Sequence, residues 1–200
     1  NTSQSVASTT FAAGAQSAIT LNPGAGQGLV LNLGAITRAA GAGVLRINLA
    51  SGVQSATHGV ITSTVNDATT GLVGTGGGWL TVTSGGVTSF GTVSGGNIIA
   101  ATTTLQDVVT NWQSGQNISD SGGFTGTLDA QTSITSLRFN ASGASNVTIS
   151  AGGLLRIDSG GILQTSGTGV TTISGGRLAG NVGNELIFTT DNLSQSLAVS

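Results

Sequence analysis

The chain has no cysteine, no methionine and no tyrosine; its five basic residues are all arginine, and it has a single proline, Pro23. With no cysteine and one imidazole, His58, an ordinary zinc site is excluded, and the redox compartment stays undecided. Charged residues make up 6% of the chain, against about 25% in ordinary globular proteins. A net charge of −2 and five scattered arginines supply no basic stripe, so nucleic acid is not an expected partner. Scarcity of charge does not mean disorder. Disordered chains are poor in aliphatics and rich in charge, whereas 38% of these residues are hydrophobic. No apolar run approaches the roughly 18–20 residues of a membrane helix, so membrane insertion is not expected. No signal peptide is visible. Asn1 is not an initiator residue, so the chain reads as processed or as part of a longer one.

Glycine is what the chain has in quantity, 34 residues, in no Gly-X-Y register, which excludes collagen. Together with β-branched residues it interrupts every candidate helical window. Strand patterns recur throughout. In Val44-Leu45-Arg46-Ile47-Asn48-Leu49, Leu45, Ile47 and Leu49 share one face while Arg46 and Asn48 take the other, the period-2 pattern of a half-buried strand. Leu137 and Phe139, Val147 and Ile149, and Leu155 and Ile157 alternate with polar residues in the same way. Glycine pairs punctuate these strands at Gly85-Gly86, Gly95-Gly96, Gly122-Gly123, Gly152-Gly153, Gly160-Gly161 and Gly175-Gly176. They read as corners between short strands.

Internal echoes accompany the strands. Thr148-Ile149-Ser150-Ala151-Gly152-Gly153 recurs as Thr172-Ile173-Ser174-Gly175-Gly176, an offset of 24 residues. Arg138 and Arg156 stand 18 apart in similar contexts. Repeats of this length with short strands and glycine corners predict an all-β fold, a parallel β-helix or β-solenoid. A β-sandwich is the alternative, since it too is built from short alternating strands. Stacked like charges are unfavourable, so Arg138 and Arg156 are expected not to sit on one another, or else to share an acceptor such as Asp158. The repeat signature fades across 51–131, which predicts irregular coils or loops within one solenoid segment covering 1–200.

Three stretches carry a family likeness: Gly77-Gly78-Trp79-Leu80-Thr81-Val82, Gly95-Gly96-Asn97-Ile98-Ile99-Ala100 and Thr135-Ser136-Leu137-Arg138-Phe139-Asn140. With the glycine-rich strands that follow, they resemble the autotransporter-associated β-strand repeat proteins, large secreted or surface-displayed bacterial proteins. The resemblance runs from about Leu29 to Phe188. It implies a parallel β-helix at the bacterial cell surface or outside the cell, and it supplies no catalytic motif.

Candidate chemistry is thin. Glycoside cleavage needs two carboxylates roughly 5–9.5 Å apart; Asp120 and Asp129 are the closest plausible couple in a chain whose acids are dispersed. Gly74-Thr75-Gly76-Gly77-Gly78 lacks the following Lys-Ser/Thr of a phosphate loop. Thr81-Val82-Thr83 resembles one unit of an ice-binding array but stands alone. Trp79, Phe90 and Trp112 lie in the irregular stretch and are the candidate contacts for a glycan or another partner, because aromatic faces suit sugar rings. The sequence thus predicts a structural, non-enzymatic segment of a surface fibre with no cofactor and no metal, self-associating through its solenoid ends or neighbouring repeats. An adhesin binding surface glycans and a polysaccharide-degrading β-helix enzyme are the alternatives.

Overall fold

The computed structural model describes residues 2–14, 16–24, 28–49, 52–181, 185–192 and 194–200. The protein is all-β, 55% strand, arranged as a parallel β-solenoid of about seven turns. The parallel pairing from coil to coil sets the sandwich alternative aside. The chain divides into two compact units, Asn1–Ala101 and Thr102–Ser200, and the boundary falls inside the stretch expected to be irregular.

The first unit begins with three strands per turn. β1 (Thr2–Ser5), β2 (Ser8–Phe11) and β3 (Gln16–Leu21) form one coil, and β4 (Leu29–Asn32), β5 (Ala35–Arg38) and β6 (Val44–Leu49) form the next. Each strand pairs in parallel with its successor: Thr2 with Leu29, Ser8 with Ala35, Gln16 with Val44. β7 (Gly59–Ile61) and β8 (Leu80–Ser84) continue two of these faces. The alternation in β6 is realised as read, with Leu45, Ile47 and Leu49 buried. Leu45 stacks on Leu80 and Ile47 on Val82, which keeps the apolar column continuous from coil to coil.

The chain then reverses. β9 (Val87–Ser94) runs antiparallel to β8, and β10 (Asn97–Ala100) runs antiparallel to both β9 and β7. Two of the expected corners are therefore hairpin turns. Gly85-Gly86 joins paired Ser84 and Val87, and Gly95-Gly96 joins paired Ser94 and Asn97. Their φ angles are +58° and +79° in the first turn and +56° and +81° in the second. Two consecutive positive φ values define the turn whose twist suits a two-residue hairpin, and only glycine adopts both without strain.

In the second unit the coils widen. β11 (Thr104–Leu105), β12 (Asn117–Ser119), β15 (Ser136–Phe139), β17 (Gly161–Gln164) and β19 (Ile187–Thr190) stack in parallel as one face. Thr104 pairs with Ile118, 14 residues on, and Ile118 with Leu137, 19 on. Leu137 pairs with Ile162, 25 on, and Ile162 with Phe188, 26 on. β13 (Thr127–Leu128) and β14 (Gln131–Ile134) both pair with the long β16 (Ser145–Ile157), which is followed by β18 (Thr171–Gly180) and β20 (Leu197–Val199). The narrow early coils are filled by aromatic rings. Trp112 packs edge-on to Phe124 at 5.0 Å, and Phe124 edge-on to Phe139 at 5.3 Å, the geometry aromatic quadrupoles favour. The wider coils are filled by Val147, Ile149, Leu155, Ile157, Ile162 and Ile173.

The 24-residue echo is not the register. Val147 stacks on Ile173 and Thr148 on Ser174, a step of 26. A slip of two residues leaves every side chain on its own face, so alternation alone is indifferent to it. Backbone approach fixes the choice: Ile149 lies over Gly175, where an added Cβ would stand 2.1 Å from the Ile149 carbonyl oxygen. The arginines avoid each other as expected. Arg138 stacks between Ser119 and Leu163 on one sheet, and Arg156 between Ser133 and Ala179 on another.

Candidate functional site

The three aromatic candidates are all buried: Trp79 is 3% exposed, Phe90 1% and Trp112 7%. Trp79 and Phe90 belong to the first unit and Trp112 to the second. Trp79 precedes β8, packs against Phe11 at 6.0 Å and lies under the Arg38 guanidinium at 5.8 Å. Its indole N–H donates to the Thr75 carbonyl at 3.3 Å. The Trp112 indole donates to the Gln106 carbonyl at 3.0 Å. Phe90 sits in the middle of β9. With the N–H groups satisfied internally, the rings fill the cores of their units, and none presents an open face to a sugar.

Beside Trp79 is a cleft of about 320 Å³ whose walls include Ile36, Arg38, Thr64, Asn66 and Asp67. It is polar, but its polar groups face the protein. The Thr64 hydroxyl accepts the Ile36 N–H at 2.6 Å. The Asn66 side chain donates to Thr92 and to the Val93 carbonyl and accepts the Val93 N–H. Arg38 donates to the carbonyls of Ala42 and Gly43. The Asp67 carboxylate accepts backbone N–H groups of Thr69, Thr70 and Gly76. Burial pushes the Asp67 pKa up, but those N–H donors outweigh it and hold it below the usual aspartate value. Donors to the charged form are what lower a carboxyl pKa.

The second unit uses its acids similarly. Asp107 is held low first by the Ser121 N–H, against slight burial, and further by the Gly122 N–H and the Ser121 hydroxyl. Asp120 is fully buried. Its carboxylate accepts the N–H groups of Asn140 and Ala141 and the Ser145 hydroxyl at 2.6 Å, and that hydroxyl accepts the Phe124 N–H. One side chain thereby ties two successive coils together. Burial draws the Arg138 pKa down while the Asp120 charge opposes the shift. Among the described residues the Arg138 Nε has no hydrogen-bond partner, and neither ring nitrogen of the buried His58 has one. Asp158 accepts Ser133 and Arg156, the latter at 2.9 Å.

The suggested couple of Asp120 and Asp129 does not form a matched pair. Asp120 is enclosed at the end of one sheet's coil, while Asp129 is exposed beyond a strand of another. Thr81 is buried and Thr83 bonds to Thr88 across the hairpin at 2.8 Å, so the Thr-x-Thr unit does not present a flat array. Among the described residues, no group of three or more His, Asp or Glu side chains could hold a metal ion, and no helix is long and apolar enough to cross a membrane. Alternation did not reveal the Asp120 knot. Its signal is an acid directly after a short strand, Asn117–Ser119, where a coil corner exposes main-chain donors that need an acceptor. No protein family, no curated protein and no solved structure matches this chain.

Proposed function

We propose that the protein is a structural, non-enzymatic segment of an extracellular β-solenoid, displayed at a bacterial surface and extending a fibre there, as its resemblance to the autotransporter-associated repeat proteins implies. One observation carries this reading: Asp67, Asp107, Asp120 and Asp158 are each committed to hydrogen bonds within their own unit. Reactive groups are spent on coil corners, and the rest of each coil is backbone ladder and apolar stack. Such a stack is cooperative, because each coil is held by its neighbours. It resists proteolysis because cleavage requires local unfolding. The unpaired strands at a solenoid end are where it joins what lies next to it.

Two measurements test the reading. Antibodies against the chain should label intact, unpermeabilised cells that make it, and a broad-specificity protease should leave its parallel coils whole. Label only after lysis, or rapid digestion to small peptides, would overturn it.

A further inference from the structure

The sheet of β13, β16, β18 and β20 turns an uncharged polar array to solvent. Register sets Thr127, Thr148 and Ser174 in one outward column and Asn146, Thr172 and Ala198 in a second. The offset that pairs Thr127 with Thr148 also brings Thr125 beside Asn146, whose N–H donates to the Phe124 carbonyl. Three successive coils thus present Thr125 with Thr127, Asn146 with Thr148, and Thr172 with Ser174. The pairing of Ser145–Ile149 with Thr171–Gly175 is unbroken, so the array is regular. Thr125, Asn146 and Thr148 are exposed, and Thr127, Thr172 and Ser174 are half-buried. None of these positions is charged, and Asp129 stands beyond Thr127 at the margin. Among the described residues the six polar side chains make no hydrogen bond within the protein. The inward hydroxyls of the same strands do: Ser145 donates to Asp120, and Thr171 accepts from Gln164. The polar groups of the outward face are therefore left to whatever lies against it.

We propose that this face binds the surface of ice. Neighbouring strands set the rungs roughly 4.8 Å apart, and alternate residues along a strand stand about 6.6 Å apart. Both spacings lie close to repeats of the hexagonal ice lattice. Hydroxyl and carboxamide groups fixed at such intervals order their first water layer in the pattern of the crystal, and bridging water holds nearly as well as a direct hydrogen bond. Threonine suits the task because its branched side chain is stiff at χ1. The ladder beneath it is rigid, so little ordering remains to be done on binding. An ionic group would hold its own hydration shell against the lattice, and the array has none. A sugar is recognised in a concavity, with aromatic faces and convergent polar groups; this face is an open sheet without rings. The rungs differ in sequence and stand 21 and 26 residues apart, so no repeated Thr-x-Thr announces them. Register, and not the lone Thr81-Val82-Thr83, assembles the array.

The test is nanolitre osmometry of the 200-residue chain, with retention of the chain in slowly grown ice as a second readout. Ice crystals should grow faceted, freezing should be held below melting, and the chain should be enriched in the ice. Thr148→Tyr and Thr172→Tyr should each remove most of that hysteresis, because one bulky ring lifts the rest of the array off a planar lattice. Far-UV circular dichroism and the urea midpoint should not change, since both side chains point to solvent. Gln131→Tyr, exposed on the neighbouring strand β14, should keep full activity. Rounded crystals, no hysteresis and no enrichment at any concentration up to the solubility limit would overturn the inference and leave the structural reading standing. Hysteresis that survives both tyrosine variants would overturn the assignment to this face.

Discussion

The outer edges of β7 and β8 in the first unit are covered by β10 and β9; those of β19 and β20 in the second carry no strand among the described residues. The two units draw on the same kinds of residue, and their parallel coils follow the same stacking rule. They differ in that the chain of the first unit reverses after β8, whereas the described strands of the second are paired in parallel throughout. Reversal takes two adjacent residues at positive φ, twice, and Gly85-Gly86 and Gly95-Gly96 supply them. In β19 and β20, Phe188 and Val199 are half-exposed at positions that are enclosed in the two preceding coils. Covering the edges of β7 and β8 is thus a matter of turn chemistry.

Equivalent phenylalanines should expose this contrast most sharply. Phe90 in the closing hairpins is fully enclosed, while Phe188 in the last coil is half-exposed. Phe90→Ala should cost about 3–5 kcal/mol. Phe188→Ala should cost about 1 kcal/mol, because only about half of its transfer gain is realised. Fluorotryptophan labelling gives one resonance per unit, Trp79 and Trp112, so urea titration followed by ¹⁹F NMR reads each unit separately. Equal losses from the two substitutions would remove the distinction between the enclosed and the half-exposed ring.

Asp120→Ala comes next. It strands the Asn140 and Ala141 N–H groups and the Ser145 hydroxyl, so a loss of about 3 kcal/mol is expected. The loss should be confined to the Trp112 resonance. A shift of the Trp79 transition of equal size would show that the knot is not local to the second unit.

Smaller again is the cost of a side chain at the hairpin turns. Gly86→Ala and Gly96→Ala each place a Cβ at φ near +80°, at about 1–2 kcal/mol. Amide exchange in β9 and β10 should quicken while β17 and β19 keep their protection. Gly152, at φ +86° with open space where its Cβ would be, is the counterpart in the second unit. Its alanine variant should lose a similar amount, with the loosening in β16.

How much of this was legible follows from what period-2 patterning encodes. It tells which face a residue takes, so the buried sets in β6 and β16 read directly from sequence, whereas in β15 Ser136 and Arg138 are buried along with Leu137 and Phe139. It does not tell which strand lies next door or in which direction. The 24-residue echo therefore misjudged the 26-residue step, since a two-residue slip is invisible to it. A glycine pair likewise signals positive φ but does not distinguish a coil corner from a reversal, so the hairpins were unforeseen. The aromatic candidates were chosen because they fell outside the repeat. Irregular coils lack the aliphatic stack and fill their interiors with larger rings, which is why Trp79 and Trp112 turned out to be core. Asp120 was singled out for the wrong property: a buried acid at a corner serves main-chain donors, which no pairing of acids in sequence reveals.

Acid gives the mildest comparison. Asp67 in the first unit and Asp107 in the second are both held below the ordinary aspartate value by main-chain donors. A carboxyl whose folded pKa is depressed contributes stability that is fully present above its unfolded value and is lost as pH falls through the folded one. Both loops should therefore stay closed at neutral pH and loosen only below about pH 4. The amides to follow are Thr69 and Thr70 in one loop and Ser121 and Gly122 in the other, by exchange and chemical shift. Burial works against the donors at Asp67, whereas at Asp107 a donor is the largest influence. Asp107→Asn should abolish the acid response at Ser121 and Gly122 and leave that at Thr70 in place. Protection at all four amides unchanged down to about pH 2 would mean that these carboxylates do not hold the loops.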